Sequence, residues 1–291
     1  MIRIENVSKR IDGKAVLSSL NLNVDKGSIY GLVGVNGAGK TTIIKHLAGL
    51  YRQDEGLVTM LDEPVYDNAS LKANMGYIPD ELYFPPEYNL RGLRTYYSAM
   101  YPGWNEARYR ELLAKFGLDD RQRVGKFSKG MQKQAAFLLA ISTTPQVFLL
   151  DEPLDGLDPV VRKLVFGEII ADVADRQMTV LVSSHNLKEM DGICDKIGIV
   201  KGGTMLVEKD LDDLKSNIHK AQFALTEQVE PNFDIKKILP EILHYERQGR
   251  VHVVVYKSET EQNFADFSPI IYEKMPLSLE EIFIYEMEEK P

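Results

Sequence analysis

The chain is poor in the residues that build covalent or metal frameworks: one cysteine, Cys194, and five histidines stand in 291 residues. A single thiol excludes an intrachain disulfide and a cysteine-rich zinc site, suits a reducing compartment, and leaves buried packing as the expected role of Cys194. Positive charge is not in excess either. With 35 Lys and Arg against 43 Asp and Glu, the formal net charge of −8 provides no global field for nucleic acid or anionic lipid, and only local basic patches remain open. No window approaches the run of about 18 apolar residues that a membrane helix needs. Arg3 and Glu5 fall where a signal peptide needs apolar residues, so a cytoplasmic protein is expected, or one held at a membrane through a partner. Internal repeats and low-complexity tracts are missing as well.

What is present is a substantial apolar fraction, 44%, enough in a chain of this length to predict one large domain and a small one. The chain is organised around Gly34-Val35-Asn36-Gly37-Ala38-Gly39-Lys40-Thr41-Thr42, between the apolar run Ile29 to Val33 and the helical stretch Ile43 to Ala48. From Gly34 to Thr41 the spacing fits G-x-x-x-x-G-K-[ST]. In such a loop backbone N–H groups close around phosphates, Lys40 neutralises their charge, Thr41 places a hydroxyl on Mg²⁺, and the helix presents its positive end. Nucleotide triphosphate binding is the first expectation.

The flanking segments say where this loop sits. Ile2, Ile4 and Val7, then Val16, Leu20, Leu22 and Val24, alternate as strands around an Asp12-Gly13 turn, and Leu57 to Leu61 returns to that pattern. Met75 to Pro79 makes a further strand end, followed by a proline-punctuated loop, Leu82 to Tyr88, whose aromatics serve either packing or a partner. Asn89 to Gly117 reads as a helical block in which Asn105 caps a helix, Trp104 staples it and Gly117 ends it. Ser128 to Ala140 is the next helix. Val147 to Pro153, an apolar strand ending in two carboxylates, and Thr179 to His185, with a histidine at its end, are expected as central strands of a parallel sheet, with a helix over Val160 to Ala174 between them. An α/β sheet follows, with its ligand site at the carboxyl ends of the strands, where Lys40, Asp151, Glu152 and His185 all fall. Ile197 to Val200 with Gly202-Gly203 predicts a hairpin, and Asp210 to Ser216 a short helix. Beyond about Asn217 a small α/β appendage is expected: strands at Phe223 to Leu225, Val251 to Tyr256 and Ile270 to Tyr272, and helices at Glu259 to Phe267 and Leu279 to Met287. The stretch Glu286 to Glu289 reads as a solvated acidic end.

Asp151, after four apolar residues, is the expected second carboxylate of a P-loop site, holding Mg²⁺ directly or through water, and Glu152 is placed to accept a proton from attacking water. His185 is a companion able to sense the γ-phosphate. Together these motifs resemble the ATP-binding subunit of an ABC transporter over residues 1 to 216. Gly34 to Thr42 resembles the family's Walker A motif and Val147 to Glu152 its Walker B motif. Ser128-Lys129-Gly130-Met131-Gln132 stands where the LSGGQ signature lies, Leu154 to Asp158 resembles the D-loop, and Ser183-Ser184-His185 the switch histidine.

The resemblance implies a P-loop ABC-type ATPase core with an antiparallel β subdomain and a helical subdomain at about 82 to 140, followed by a small α/β domain at 217 to 291. It further implies that two such subunits, identical or not, dimerise head to tail around ATP. ATP would contact Ile11, Val16, Asn36, Gly37, Ala38, Gly39, Lys40, Thr41 and Thr42 in one subunit, and Ser128, Lys129, Gly130, Met131 and Asp155 in the other. Mg²⁺ would be held by Thr41, Asp80 and Asp151, with Glu152, His185 and Asp80 catalytic. The coupled partner would be a separate integral-membrane permease, which puts the chain on the cytoplasmic face of the membrane, exporting antimicrobial peptides by a subfamily likeness.

Three positions depart from the family pattern. Asp80 replaces the usual glutamine after the Tyr77-Ile78-Pro79 strand; it can still meet Mg²⁺ or orient water, but adds negative charge. Lys129 and Met131 replace a glycine and the glutamine of the signature, and Lys129 either offers the partner's ATP a cation or lies in solvent. Ile11 stands near the position of an adenine-stacking aromatic and packs the base without π stacking. Two alternatives remain at this stage: a nucleotide-gated regulatory or dimerisation module with weak hydrolysis, and a soluble ABC ATPase acting on nucleic acid or ribosomes, though nucleic acid is not the expected partner of so acidic a chain.

Overall fold

The computed structural model describes residues 1–226, 234–239, 241–258, 264 and 269–287. The expected helix over Glu259 to Phe267 lies outside them apart from Phe264, as do Glu288 and Glu289 of the acidic end. Two compact units divide the chain, Met1–Asn186 with Gly192–Glu208, and Leu187–Asp191 with Lys209–Pro291.

In the first unit β1 (Ile2–Ile11) and β2 (Lys14–Val24) form an antiparallel hairpin, and β3 (Ile29–Val33) runs into the loop that opens α1 (Lys40–Leu47). β4 (Glu55–Met60) and β5 (Glu63–Pro64) complete an antiparallel sheet in the order β2-β1-β4-β5. Its strands alternate: Ile2, Ile4 and Val7 of β1 are buried while Arg3 and Glu5 face solvent. α2 (Ala69–Ala73) precedes β6 (Met75–Ile78), and the helical block follows as α3 (Leu90–Met100), α4 (Glu106–Phe116) and α5 (Lys129–Ser142). β7 (Val147–Leu150), α6 (Pro159–Arg176), β8 (Thr179–Ser184), β9 (Lys196–Lys201) and β10 (Thr204–Asp210) complete a six-stranded sheet in the order β10-β9-β3-β8-β7-β6. Every residue of β3, β7 and β8 is buried, as a parallel sheet covered on both faces requires. Ile43, Ile44 and Leu47 of α1 share one core with Leu20 and Val58 of the antiparallel sheet and Leu149 and Leu181 of the parallel one. The helix behind the loop is thereby clamped between two sheets.

Local signals in the helical block account for its ends. Asn89 and Asn105 cap α3 and α4 by accepting from the amides of Gly92 and Arg108, and Gly117, left-handed at φ 64°, closes α4. Trp104 lies 5.4 Å from Tyr109, ring centre to ring centre, which is the predicted staple across the cap. α4 is tied to α6 by charge: Arg108 and Lys115 reach the buried carboxylate of Glu168 at 2.7 and 2.8 Å, and Arg108 lies 3.6 Å from Asp172.

The second unit contains α7 (Leu211–Asn217), β11 (Ile218–Ala224), β12 (Glu241–Gln248), β13 (Val251–Lys257), β14 (Ile271–Met275) and α8 (Leu279–Met287). Its sheet is antiparallel, ordered β12-β13-β11-β14, over a core containing Phe223, Val254, Tyr256 and Phe264. Within this second unit α7 packs on α8 and runs straight into β11. β12, with the sequence Glu-Ile-Leu-His-Tyr-Glu-Arg-Gln, is a strand that sequence patterning passes over, because polar residues occupy most of its second half.

Candidate functional site

Parallel register brings the predicted residues to one edge. Val33 pairs with Ser184, Leu150 with Val182 and Ile78 with Leu150. The loop after β3, the Asp151-Glu152 pair after β7, His185 after β8 and Asp80 beyond β6 therefore leave the sheet on the same side.

The loop is braced from three directions. The Gly34 amide donates to Ser184 O at 3.3 Å, the Ala38 amide to Val35 O at 3.1 Å, and the Gly203 amide to Ala38 O at 3.0 Å. Gly39, at φ 113°, forms the N-cap of α1 without a side-chain hydrogen bond, which leaves the positive end of that helix to an anion. Val35, Asn36, Gly37 and Thr41 are exposed, Thr42 is half-buried, and Ala38, Gly39 and Lys40 are buried. Gly34 is required by space, since a Cβ there would stand 2.5 Å from Val200 O, a backbone atom. Gly34→Ala is accordingly expected to cost about 1–3 kcal/mol, read as a lowered Tm. Gly167→Ala, a helical site with nothing within 4 Å of the added Cβ, is expected to leave Tm unchanged or raise it.

Lys40 Nζ donates to Gly34 O at 2.6 Å and to Val35 O at 3.5 Å, and pairs with Glu152 Oε1 at 3.0 Å. The other oxygen of Glu152 accepts from the His185 amide at 3.3 Å and lies 3.0 Å from His185 Nδ1. The backbone of Glu152 is left-handed at φ 45°; its amide donates to Ser183 Oγ at 3.0 Å, and its carbonyl accepts from Lys133 Nζ at 3.0 Å. Ser183 in turn donates to Asp151 Oδ1 at 2.7 Å. Asp151 Oδ2 is buried with no hydrogen-bond donor, the condition of a hard oxygen ligand. That oxygen and the accessible Thr41 hydroxyl fit a small divalent cation such as Mg²⁺. Asp80 is exposed beside this group, and partial desolvation, then the Asp151 charge, raise its carboxyl above its ordinary pKa. Glu152, Asp155 and His185 also bring one ligand atom each to within 4.8 Å of the others.

The signature residues stand apart from the loop. Ser128 caps α5, its Oγ accepting from the Met131 amide at 3.2 Å; Lys129 is exposed, and Gly130 and Met131 are half-buried. A groove of about 600 Å³ runs past Lys129, Lys133, Asp80 and Asp155, and none of its lining residues comes from Gly34 to Thr42. Val16 puts its carbonyl 3.4 Å from where a Cβ on Gly39 would lie, whereas Ile11 pairs with Lys14 at the hairpin turn. Sequence reasoning missed Ser183 and Lys133. A serine following the apolar run Val180 to Val182 and a lysine just before the apolar run Ala135 to Ile141 were the signals that could have found them.

Among the described residues no helix is long and apolar enough to cross a membrane. The ABC transporter profile matches residues 17–155. The ABC transporter ATP-binding protein YtrB of Bacillus subtilis is 30% identical over 98% of this chain and 97% of its own length. The lantibiotic transport ATP-binding protein SrtF of Streptococcus pyogenes is 33% identical over 73% of this chain and 92% of its own. A solved ATP-binding subunit of an ABC transporter superposes with a TM-score of 0.69 at 27% identity, covering 74% of this chain and 92% of that one. A dimeric ATP-binding cassette in a post-hydrolysis state with ADP and Pi shares the fold, with a TM-score of 0.65 at 21% identity over 72% of this chain and 99% of that one. Likeness to YtrB along nearly the whole of both chains, with a phosphate loop facing paired carboxylates across one sheet edge, means that the chain belongs to the ABC transporter family as one of its ATP-binding proteins.

Proposed function

We propose that two subunits of this kind close head to tail on ATP and that opening after hydrolysis drives export through a separate membrane permease. The observation carrying this reading is the division of the site. Lys40, Asp151, Glu152 and His185 converge at the strand edge, while Lys129 opens on a groove that the phosphate loop does not line. A second subunit supplies the missing half. Ser128 and the α5 N-terminus then face the γ-phosphate, and loss of that phosphate weakens the interface.

Within one subunit, phosphate oxygens compete with Glu152 and the Gly34 carbonyl for Lys40. As Lys40 turns to phosphate, Glu152 Oε1 is released to take a proton from water, with His185 fixing Oε2. Thr41 and Asp151 Oδ2 would hold Mg²⁺, with the Asp80 carboxyl close by, and the ion would supply neutralisation of charge on the phosphates. The likeness to SrtF, named for lantibiotic transport, and to a Nod factor export ATP-binding protein of Rhizobium etli, 34% identical over 73% of this chain, supports an export role.

The permease contact is assigned to the loop from Leu82 to Tyr88, where Tyr83 is 84% exposed. Replacing Tyr83 and Phe84 with alanine is expected to reduce co-purification with the permease about tenfold while ATP affinity stays within about twofold, since an interface is dominated by a few aromatic anchors. Undiminished co-purification removes this loop from the interface. Affinity purification from membranes, with identification of the integral protein that accompanies the chain, tests the reading as a whole.

A further inference from the structure

We propose that Lys133 is a positioning residue that holds the backbone of Glu152 and ties the helix carrying the signature to the hydrolytic carboxylate. This rests on the reading of Glu152 given above. A left-handed backbone at a residue with a side chain is strained and persists only where the surroundings over-determine it. At Glu152, φ 45°, two side chains do so: Ser183 accepts its N–H at 3.0 Å, and Lys133 donates to its carbonyl at 3.0 Å.

Lys133 is only 9% exposed, on a helix whose following residues, Ala135 to Ser142, are all buried. Burying an ammonium group is costly unless it finds acceptors and opposite charge. The Glu152 carbonyl is one acceptor, and Asp80 and Asp155 line the same groove. The arrangement leaves the Glu152 carboxylate to Lys40 and His185 while its peptide is gripped from both sides. Lys129 lies one helical turn before Lys133. A shift of α5 at its signature end therefore moves the group that grips Glu152, and the half-site offered to a partner is joined to the subunit's own hydrolytic residue.

The test uses the full chain, with its permease where turnover requires it. Lys133→Met is expected to lower kcat about tenfold or more, because small displacements of a catalytic group are costly in rate, with KM for ATP within about twofold. Lys133→Arg, which keeps a donor of similar reach, should recover kcat to within about threefold of the natural chain. In a Glu152→Gln background, Lys133→Met should change the residual rate less than twofold, because its effect passes through Glu152. Lys133→Gln replaces Lys133→Met in this comparison if the latter does not fold. A kcat within twofold of the natural chain, or an undiminished loss in the Glu152→Gln background, overturns the inference while leaving the hydrolytic reading intact. Normal turnover by Glu152→Gln alone overturns both.

Discussion

Glu152→Gln is expected to reduce phosphate release by about 10²- to 10⁴-fold, the range a general base contributes, while ATP binding and ATP-dependent dimerisation persist. The substitution keeps the shape of the side chain and an acceptor oxygen for the His185 amide, which lies 3.3 Å from Oε2. What it removes is the negative charge. That charge takes the proton from water and also pairs with Lys40 at 3.0 Å. Without it Lys40 is released to phosphate at lower cost, so ATP affinity should hold or rise as turnover falls. Phosphate release and size-exclusion chromatography with and without ATP measure the two effects separately. Turnover within a few-fold of the natural chain would take the role of base away from Glu152.

Lys40→Met acts on the opposite side of the pair. Charge-assisted hydrogen bonds contribute about 1.5–3 kcal/mol each, so losing the ammonium from the phosphates should weaken ATP binding by about 10²-fold or more. The loss extends to the nucleotide-free protein, because Glu152, 8% exposed, is left as a buried carboxylate whose remaining partner is His185. Orphaning one member of a buried pair costs about 3–5 kcal/mol, and the retained His185 contacts bring the expected penalty below that range. A thermal melt without nucleotide reads this directly. Lys40→Met with Glu152→Gln should melt above Lys40→Met alone, since the second change removes the stranded charge. Equal melting temperatures for the single and double variants would show that the pair contributes nothing to stability.

Much of this site is legible in the sequence because its chemistry is local. The loop from Gly34 to Thr42 carries its glycines, lysine and threonine within one turn and one helix start, and Asp151 follows a strand too apolar to lie anywhere but inside a sheet. Asn105, Trp104 and Gly117 likewise announce α4 by interactions that span a few residues. What the sequence hides depends on distant pairing. Lys133 is 19 residues from the carbonyl it holds, and Ser183 is 31 from the amide it accepts, so neither role leaves a local pattern. β12 is hidden for a related reason: half of its residues face solvent, and what makes it a strand is its ladder with β13. The packing of α7 on α8 is likewise distant in sequence, and no composition shift near 216 reveals it.

The bond network between α4 and α6 has a mechanical meaning. Glu168 accepts two cations from α4, so the two helices share a pivot of ionic bonds on one buried carboxylate, with Arg108 the better shielded of its partners and Lys115 open to screening by salt. α4 spans about 16 Å, at 1.5 Å per residue, and packs along α5. Any displacement of α4 is therefore handed to α6 chiefly at one point, the carboxylate of Glu168, and not spread along the two helices.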